Sequence, residues 1–381
     1  MRIMLVDGCL RDSRPLRSAP PRKNAGFSGL FFARDLFSDC FQRSCLTETS
    51  CFTTNRHRKG ARKRNVLKHY LRRFVRRMSD VFAPATAVLV RAYVGLLRLM
   101  GPDRASAFGG FMMRMIGPLA PAHRVAQENL RAAFPEKSEA ERARILRGSW
   151  DSLGRTMTEY PFLQQLMDFD YQAPDPNSRT EVAGVDQFIA LLESGKPAII
   201  FAAHLANWEL PAVAAARYGL DMNIVFRPPN NKAVARAIEV LRGGAMGRLL
   251  PSGPGAAGAM VGVLDRGGRL AMLADQHLTR GLMVTFMGRP ALANPILAKL
   301  ARRFDCPVHG ARCIRLPGGR FRLELTPPLD LPHDGEGHID VEGAMRAITG
   351  VIEGWIREHP EQWLWQHRRW RVPAPPRADG G

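Results

Sequence analysis

No apolar run in this sequence is long enough to cross a bilayer. A spanning helix needs roughly 18 charge-free apolar residues, and every apolar stretch here meets a charged residue sooner. Cysteine is scarce. Cys9, Cys40, Cys45 and Cys51 fall within the first 77 residues, and only Cys306 and Cys313 follow. Neither set has zinc-ligand spacing, and two cysteines make no disulfide framework, so a reducing, cytosol-facing location is the simpler expectation. There is no Gly-x-Ser-x-Gly elbow and no His-Glu-x-x-His, which removes the common serine-hydrolase and zinc-protease arrangements. No repeat of fixed period occurs, which removes the solenoids.

What is present is positive charge, unevenly placed. The 381 residues carry a formal net charge of +20. Residues 1–77 hold 19 of the 55 Lys/Arg and 5 of the 35 Asp/Glu, a net of +14, leaving 36 against 30, or +6, for the rest. The mildly basic remainder suits an acidic partner or an anionic lipid surface, and does not by itself imply nucleic acid. Residues 1–77 show no sustained period of 2 or 3.6. They read as a disordered basic tail, as an extension upstream of a natural start at Met78, or as a targeting peptide. The apolar core and small-residue cleavage site of a secretory signal are not evident.

From Val81 the character changes. Val81–Val90 is uncharged, Arg91 interrupts, and Ala92–Leu97 resumes before Arg98. Ala105–Met113 is followed by Arg114 and then Met115–Leu119. This pattern predicts helices lying in a membrane interface with their arginines snorkelling to the headgroups. An ordinary buried helix pair is the alternative.

Residues 122–160 read as two helices, Arg124–Phe134 and Ser138–Tyr160, with Ser138 and Glu141 in a capping-box pattern. After a turn-rich connector, Gln172–Arg179, helices alternate with short apolar strands. Helices are expected at Val185–Ser194, Leu210–Tyr218, Lys232–Leu241, Ala256–Leu264, Asn294–Phe304 and Val341–Glu358. Strands are expected at Pro197–Ala203, Met222–Phe226, Leu270–Ala274 and Met283–Phe286, with a hairpin of Val308–Arg315 and Phe321–Leu325. The fold class is α/β, a mixed central sheet flanked by helices.

The apolar strand from Pro197 runs straight into His204, and Glu209 follows five residues on. Inside one ideal helix the two would lie about 140° apart. They converge only if His204 stays at the strand end while Glu209 enters the first helical turn. Asn207 can cap that turn, and Pro211 is tolerated within it. A neutral imidazole with a carboxylate to hold its tautomer suits base-assisted attack by a hydroxyl. Since no serine elbow exists, the attacking oxygen would be the acceptor's own. The alternative is a buried histidine beside a glutamate that only caps a helix. The pair offers too few ligands for a metal.

The run Ala203-His204-Leu-Ala-Asn-Trp-Glu-Leu210 resembles the signature of the bacterial lipid A late acyltransferases, a lauroyl/myristoyl transferase family related to lysophospholipid acyltransferases. Other blocks occur in that family's order. They are Glu128-Asn-Leu130 with Phe134-Pro-Glu136, Gly154 with Glu159, Val182–Asp186, Phe226-Arg-Pro228, Ala274-Asp-Gln276, Phe286-Met-Gly288 and Pro360–Trp370. The resemblance spans about residues 85–372. It implies a glycerolipid-acyltransferase-like fold and transfer of an acyl chain from acyl carrier protein to a hydroxyl of a lipid A precursor, at the cytoplasmic face of an inner membrane. No cofactor is implied. His204 would be the base and Glu209 its partner. Arg227 and Arg242 would bind phosphate or the developing oxyanion, while Asn207, Trp208, Asp275 and Gln276 would line the substrate site. Two departures stand out. His277 replaces a further acidic residue, and Met287 replaces a phenylalanine, which could alter an acyl channel. The C-terminal Trp363, Trp365 and Trp370, with His367, Arg368 and Arg369, read either as an interfacial belt or as packing for the last helix.

The expected organisation is a basic extension at 1–77, a membrane-associated helical segment at 78–121, an acyltransferase domain at 122–372 and a short tail at 373–381. Acyltransferases acting on a lysophospholipid or on another glycolipid, such as a mannoside, are the nearest alternatives. The former carry Asp after four intervening residues and a Glu-Gly-Thr phosphate motif, neither of which is present. A non-enzymatic basic membrane-binding protein would leave the motif set unexplained.

Overall fold

The computed structural model describes residues 83–370, apart from 174, 229–231 and 244. The expected extension at 1–77 and tail at 373–381 lie outside the described residues. The helices are α1 (Ala83–Ile116), α2 (Pro121–Ala133), α3 (Glu139–Glu159), α4 (Leu163–Leu166), α5 (Val185–Ser194), α6 (Leu210–Arg217), α7 (Lys232–Gly243), α8 (Ala256–Asp265), α9 (Ile296–Phe304) and α10 (Val341–Glu358). The strands are β1 (Thr180–Ala183), β2 (Ala198–Ala202), β3 (Met222–Phe226), β4 (Arg248–Pro251), β5 (Arg269–Leu273), β6 (Leu282–Phe286), β7 (Arg289–Ala293), β8 (Val308–Leu316) and β9 (Arg320–Leu325).

Seven strands form one sheet in the order β1-β9-β8-β2-β5-β3-β4, and β6 pairs with β7 in a separate hairpin. All neighbours in the large sheet are parallel except β8 and β9, which form the expected antiparallel hairpin. Strand β2 is buried on both faces, as its unbroken apolar run requires. Ile199 and Phe201 enter the main core with α2, α3, α9 and α10, while Ala198 and Ile200 pack on the opposite side with α5 and β3. This is the predicted α/β architecture of a central sheet flanked by helices, and the sheet is mostly parallel.

The two apolar stretches after Val81 form the two halves of α1. Gly101 takes φ 74°, ψ 168° and Pro102 follows, which kinks the helix there. The second half packs against α3 so closely that a Cβ on Gly109 would come within 2.3 Å of the Gly154 carbonyl oxygen. The outer face of α1 leaves Val88, Leu89, Leu96, Leu99, Phe111 and Met115 exposed. Among the described residues no helix is long and apolar enough to cross a membrane. At α3 the capping box forms as read, Ser138 and Glu141 each bonding the other's backbone N–H.

Candidate active site

Strands β2 and β5 lie side by side and parallel, with Ala202 opposite Leu273. Two residues beyond that pair both chains leave the sheet, so the register carries His204 and Asp275 to neighbouring places at its carboxyl edge. Open α/β sheets bind their ligands at that edge. His204 Nδ1 lies 2.8 Å from Asp275 Oδ1, and the His204 backbone N–H donates to Oδ2 at 2.8 Å. Trp363 Nε1–H donates to the same Oδ2, also at 2.8 Å. Burial pushes the Asp275 carboxyl up, but the His204 ring and the hydrogen bonds from His204 outweigh burial and hold it below the usual carboxylate range. An ionised carboxylate only accepts, so in the neutral ring Nδ1 carries the proton and Nε2 the lone pair. The His204 side chain keeps 13% of its surface accessible, and Gln276 Nε2 stands 3.2 Å from His204 Nε2, placed to donate to it.

Glu209 is not the partner of the His204 ring, contrary to the expectation from sequence. It is buried at the start of α6, where Pro211 occupies the first turn as expected. There it accepts from the Tyr160 hydroxyl at 2.6 Å, from Trp208 Nε1–H at 3.1 Å and from Arg242 Nε–H at 3.1 Å. A second Arg242 nitrogen also reaches it. Arg242 lies over the Tyr160 and Phe226 rings, each centroid 5.7 Å from its Cζ. Glu209 therefore anchors a cation. Its link to His204 is Trp208, whose ring meets the imidazole edge-on at 5.2 Å between centroids.

Asn207 is fully buried, so its place is in support of the loop and not at a substrate surface. Its amide donates to Glu159 Oε2 at 2.9 Å, and its Oδ1 accepts from the Glu209 backbone N–H at 3.3 Å. Glu159 is itself buried and paired with both terminal nitrogens of Arg315, at 2.6 and 2.9 Å. Ser106 of α1 donates to it at 2.6 Å. Between Asn207 and the strand, Ala206 adopts φ 47°, a left-handed conformation costly for alanine. Two bonds hold it there. Its N–H donates to the Gln362 carbonyl at 3.0 Å, and its carbonyl accepts from Thr156 Oγ1 at 2.9 Å. Arg227 stands exposed just beyond β3, with no ion-pair partner among the described residues.

The C-terminal block is packing and not an interfacial belt. Trp363, Trp365, His367 and Arg369 are buried, and Leu205 pairs with Trp363 in an isolated antiparallel bridge. The Leu364 N–H donates to the His204 carbonyl at 3.1 Å, so this segment walls the histidine loop. Met287 sits at φ 52° with Gly288 at φ 70° in the two-residue turn of the β6–β7 hairpin, its side chain buried in the main core. Among the described residues no group of three or more metal-ligating side chains comes together. Cys306 and Cys313 are free and buried, far from zinc-site spacing.

The sequence profile of the bacterial lipid A biosynthesis acyltransferases matches residues 76–372. The chain belongs to that family. Its relatives include the lipid A biosynthesis palmitoleoyltransferase of Escherichia coli (strain K12), 25% identical over 259 residues, which cover 65% of this chain and 78% of the relative. The lipid A biosynthesis acyltransferase of Shigella flexneri matches with the same identity and coverage. Membership establishes an acyltransferase of lipid A biosynthesis. Within it, the sequence reading missed Tyr160, Trp363 and the pairing of Asp275 with His204. Trp363, Asp275 and His204 lie in blocks already matched to the family and Tyr160 directly follows one, but only the register between distant strands and segments brings them together.

Proposed function

We propose that the protein transfers a fatty acyl chain from acyl carrier protein to a hydroxyl of a lipid A precursor, with His204 as general base. The observation that carries this reading is the partly accessible His204 side chain, its Nδ1 held by buried Asp275 at 2.8 Å so that Nε2 keeps the lone pair. Nε2 takes the proton of the acceptor hydroxyl as its oxygen attacks the thioester carbonyl. The tetrahedral oxyanion collapses with cleavage of the C–S bond, and the leaving thiolate takes the proton back from Nε2–H. Asp275 holds the tautomer and stabilises the imidazolium. Arg242, anchored by Glu209, is assigned to the developing oxyanion or to an acceptor phosphate, and exposed Arg227 to acceptor phosphate. Trp208 and Gln276 border the reacting groups. The outer face of α1 is assigned to the membrane interface at the cytoplasmic side of the inner membrane. On this reading residues 78–121 are the membrane-associated segment and 122–372 the acyltransferase domain.

The test is to incubate the full chain in neutral detergent with acyl-acyl carrier protein and a lipid A precursor. The expected product is heavier by one ester-linked acyl chain in mass spectrometry. Free fatty acid with unmodified precursor would refute the assignment of the acceptor.

A further inference from the structure

A cavity of about 460 Å³ opens between α1, α2 and α3, and no residue of the acyl-transfer site lines it. We propose that it binds the phosphate headgroup of an anionic phospholipid, a second lipid site beside the catalytic one. The proposal rests on the reading that the outer face of α1 lies in a membrane interface.

Charge is the first argument. Arg114, Arg131, Arg142 and Arg147 converge on the cavity from three helices, while among the described residues Glu139 is the only carboxylate in its lining. That carboxylate is shared, lying 2.9 Å from Arg131 Nε and 3.2 Å from Arg142 Nη2. Arg114 is paired with Asp151, which lies outside the lining. Arg147 is exposed and has no ion-pair partner among the described residues. Arg142 also donates to the Phe134 carbonyl at 2.8 Å, so the four guanidinium charges outnumber the carboxylates beside them and Arg147 presents the open fork, and a planar donor fork matches a phosphate.

Shape is the second argument. Phe111 and Met115 line the cavity and are also part of the exposed apolar face of α1, with 53% and 61% of their surfaces accessible. Ile116 and Leu119 extend that apolar edge. A cationic interior meeting an apolar rim fits a ligand whose phosphate is joined to acyl chains that remain in the bilayer. Basic pockets between helices at a membrane surface take anionic headgroups on this principle. The volume falls in the range of small-molecule sites, roughly 300–1,000 Å³.

The experiment uses the full chain in neutral detergent. Dihexanoyl phosphatidylglycerol, kept below its micelle concentration, is titrated by calorimetry against dihexanoyl phosphatidylcholine and inorganic phosphate. One saturable phosphatidylglycerol per chain is expected, at least tenfold tighter than either of the others. Replacing Arg131→Gln and Arg147→Gln together should weaken it tenfold or more; both side chains are exposed, so folding is spared. Equal affinity for phosphatidylcholine, or an unchanged affinity in the double variant, would overturn the proposal. Inorganic phosphate binding as tightly as the lipid would overturn the lipid assignment. Sedimentation with phosphatidylcholine vesicles, comparing the wild type with Leu96→Ser/Leu99→Ser, tests the membrane face separately, because neither leucine lines the cavity.

Discussion

At the scale of single residues, the main finding is a division of labour between two carboxylates. Asp275 holds the imidazole, and Glu209 holds Arg242. If Glu209 works through that arginine, Arg242→Gln should lower turnover by about 10²–10³-fold, as loss of a preorganised oxyanion donor does. The double variant Glu209→Gln/Arg242→Gln should then be no slower than Arg242→Gln alone. Steady-state rates of the two single variants and the double decide it, and additive losses would give Glu209 an independent role. A second residue-scale prediction concerns His367, whose pKa burial drives down to about 4. In the unfolded chain it takes up a proton near its ordinary value, so between roughly pH 6.5 and 4 the unfolded state binds more protons. Stability from this group is therefore present above that window and lost as pH falls through it, by roughly 3 kcal/mol. Denaturant unfolding at about pH 7 and pH 4 should show a shallower loss in His367→Gln than in the wild type.

At the scale of elements, the contact between α1 and α3 rests on glycine. A Cβ on Gly154 would lie 2.1 Å from the Gly109 carbonyl oxygen. Gly154→Ala should therefore cost at least about 1–3 kcal/mol through overpacking. Gly350→Ala in α10, where nothing lies within 4 Å, should instead gain up to about 1 kcal/mol from helix propensity. Thermal midpoints of the two variants should move in opposite directions. Most elements were legible because their signals are local. The helices Val185–Ser194 and Val341–Glu358 and the strand Met222–Phe226 fall where the apolar pattern predicts. Three strands escaped. Thr180–Ala183 and Arg248–Pro251 are four-residue edge strands, and Arg289–Ala293 begins with Arg-Pro after a two-residue turn. Each carries too few apolar residues for a period to show. The His204–Asp275 pair was illegible for another reason. It depends on β2 and β5 being neighbours in a given register, across 71 residues of chain.

At the scale of the whole molecule, the charge is divided between a strongly basic N-terminal stretch and a mildly basic remainder. A chain beginning at Met78 should keep full activity in detergent if residues 1–77 lie outside the enzyme. With that chain, the Michaelis constant for an acidic acyl carrier protein donor should rise with ionic strength while turnover at saturation changes little. Steering of this kind acts on encounter and is screened beyond roughly 8 Å at physiological salt. Acyl-CoA lacks the extended acidic surface, so it should be the poorer donor and respond less to salt. Equal use of both donors with the same salt response would contradict the carrier-protein assignment.

The central claim is that His204 moves the proton in acyl transfer, held in place by Asp275. Its most direct test is the rate of transfer to the lipid acceptor at saturating substrates in His204→Ala, with Asp275→Asn beside it and thermal midpoints recorded for both. Loss of a general base costs typically about 10²–10⁴-fold, so His204→Ala should fall by that factor while remaining folded. Asp275→Asn should fall as well, through loss of the tautomer and of the charge facing the imidazolium. Near-wild-type turnover in folded His204→Ala protein would contradict the account.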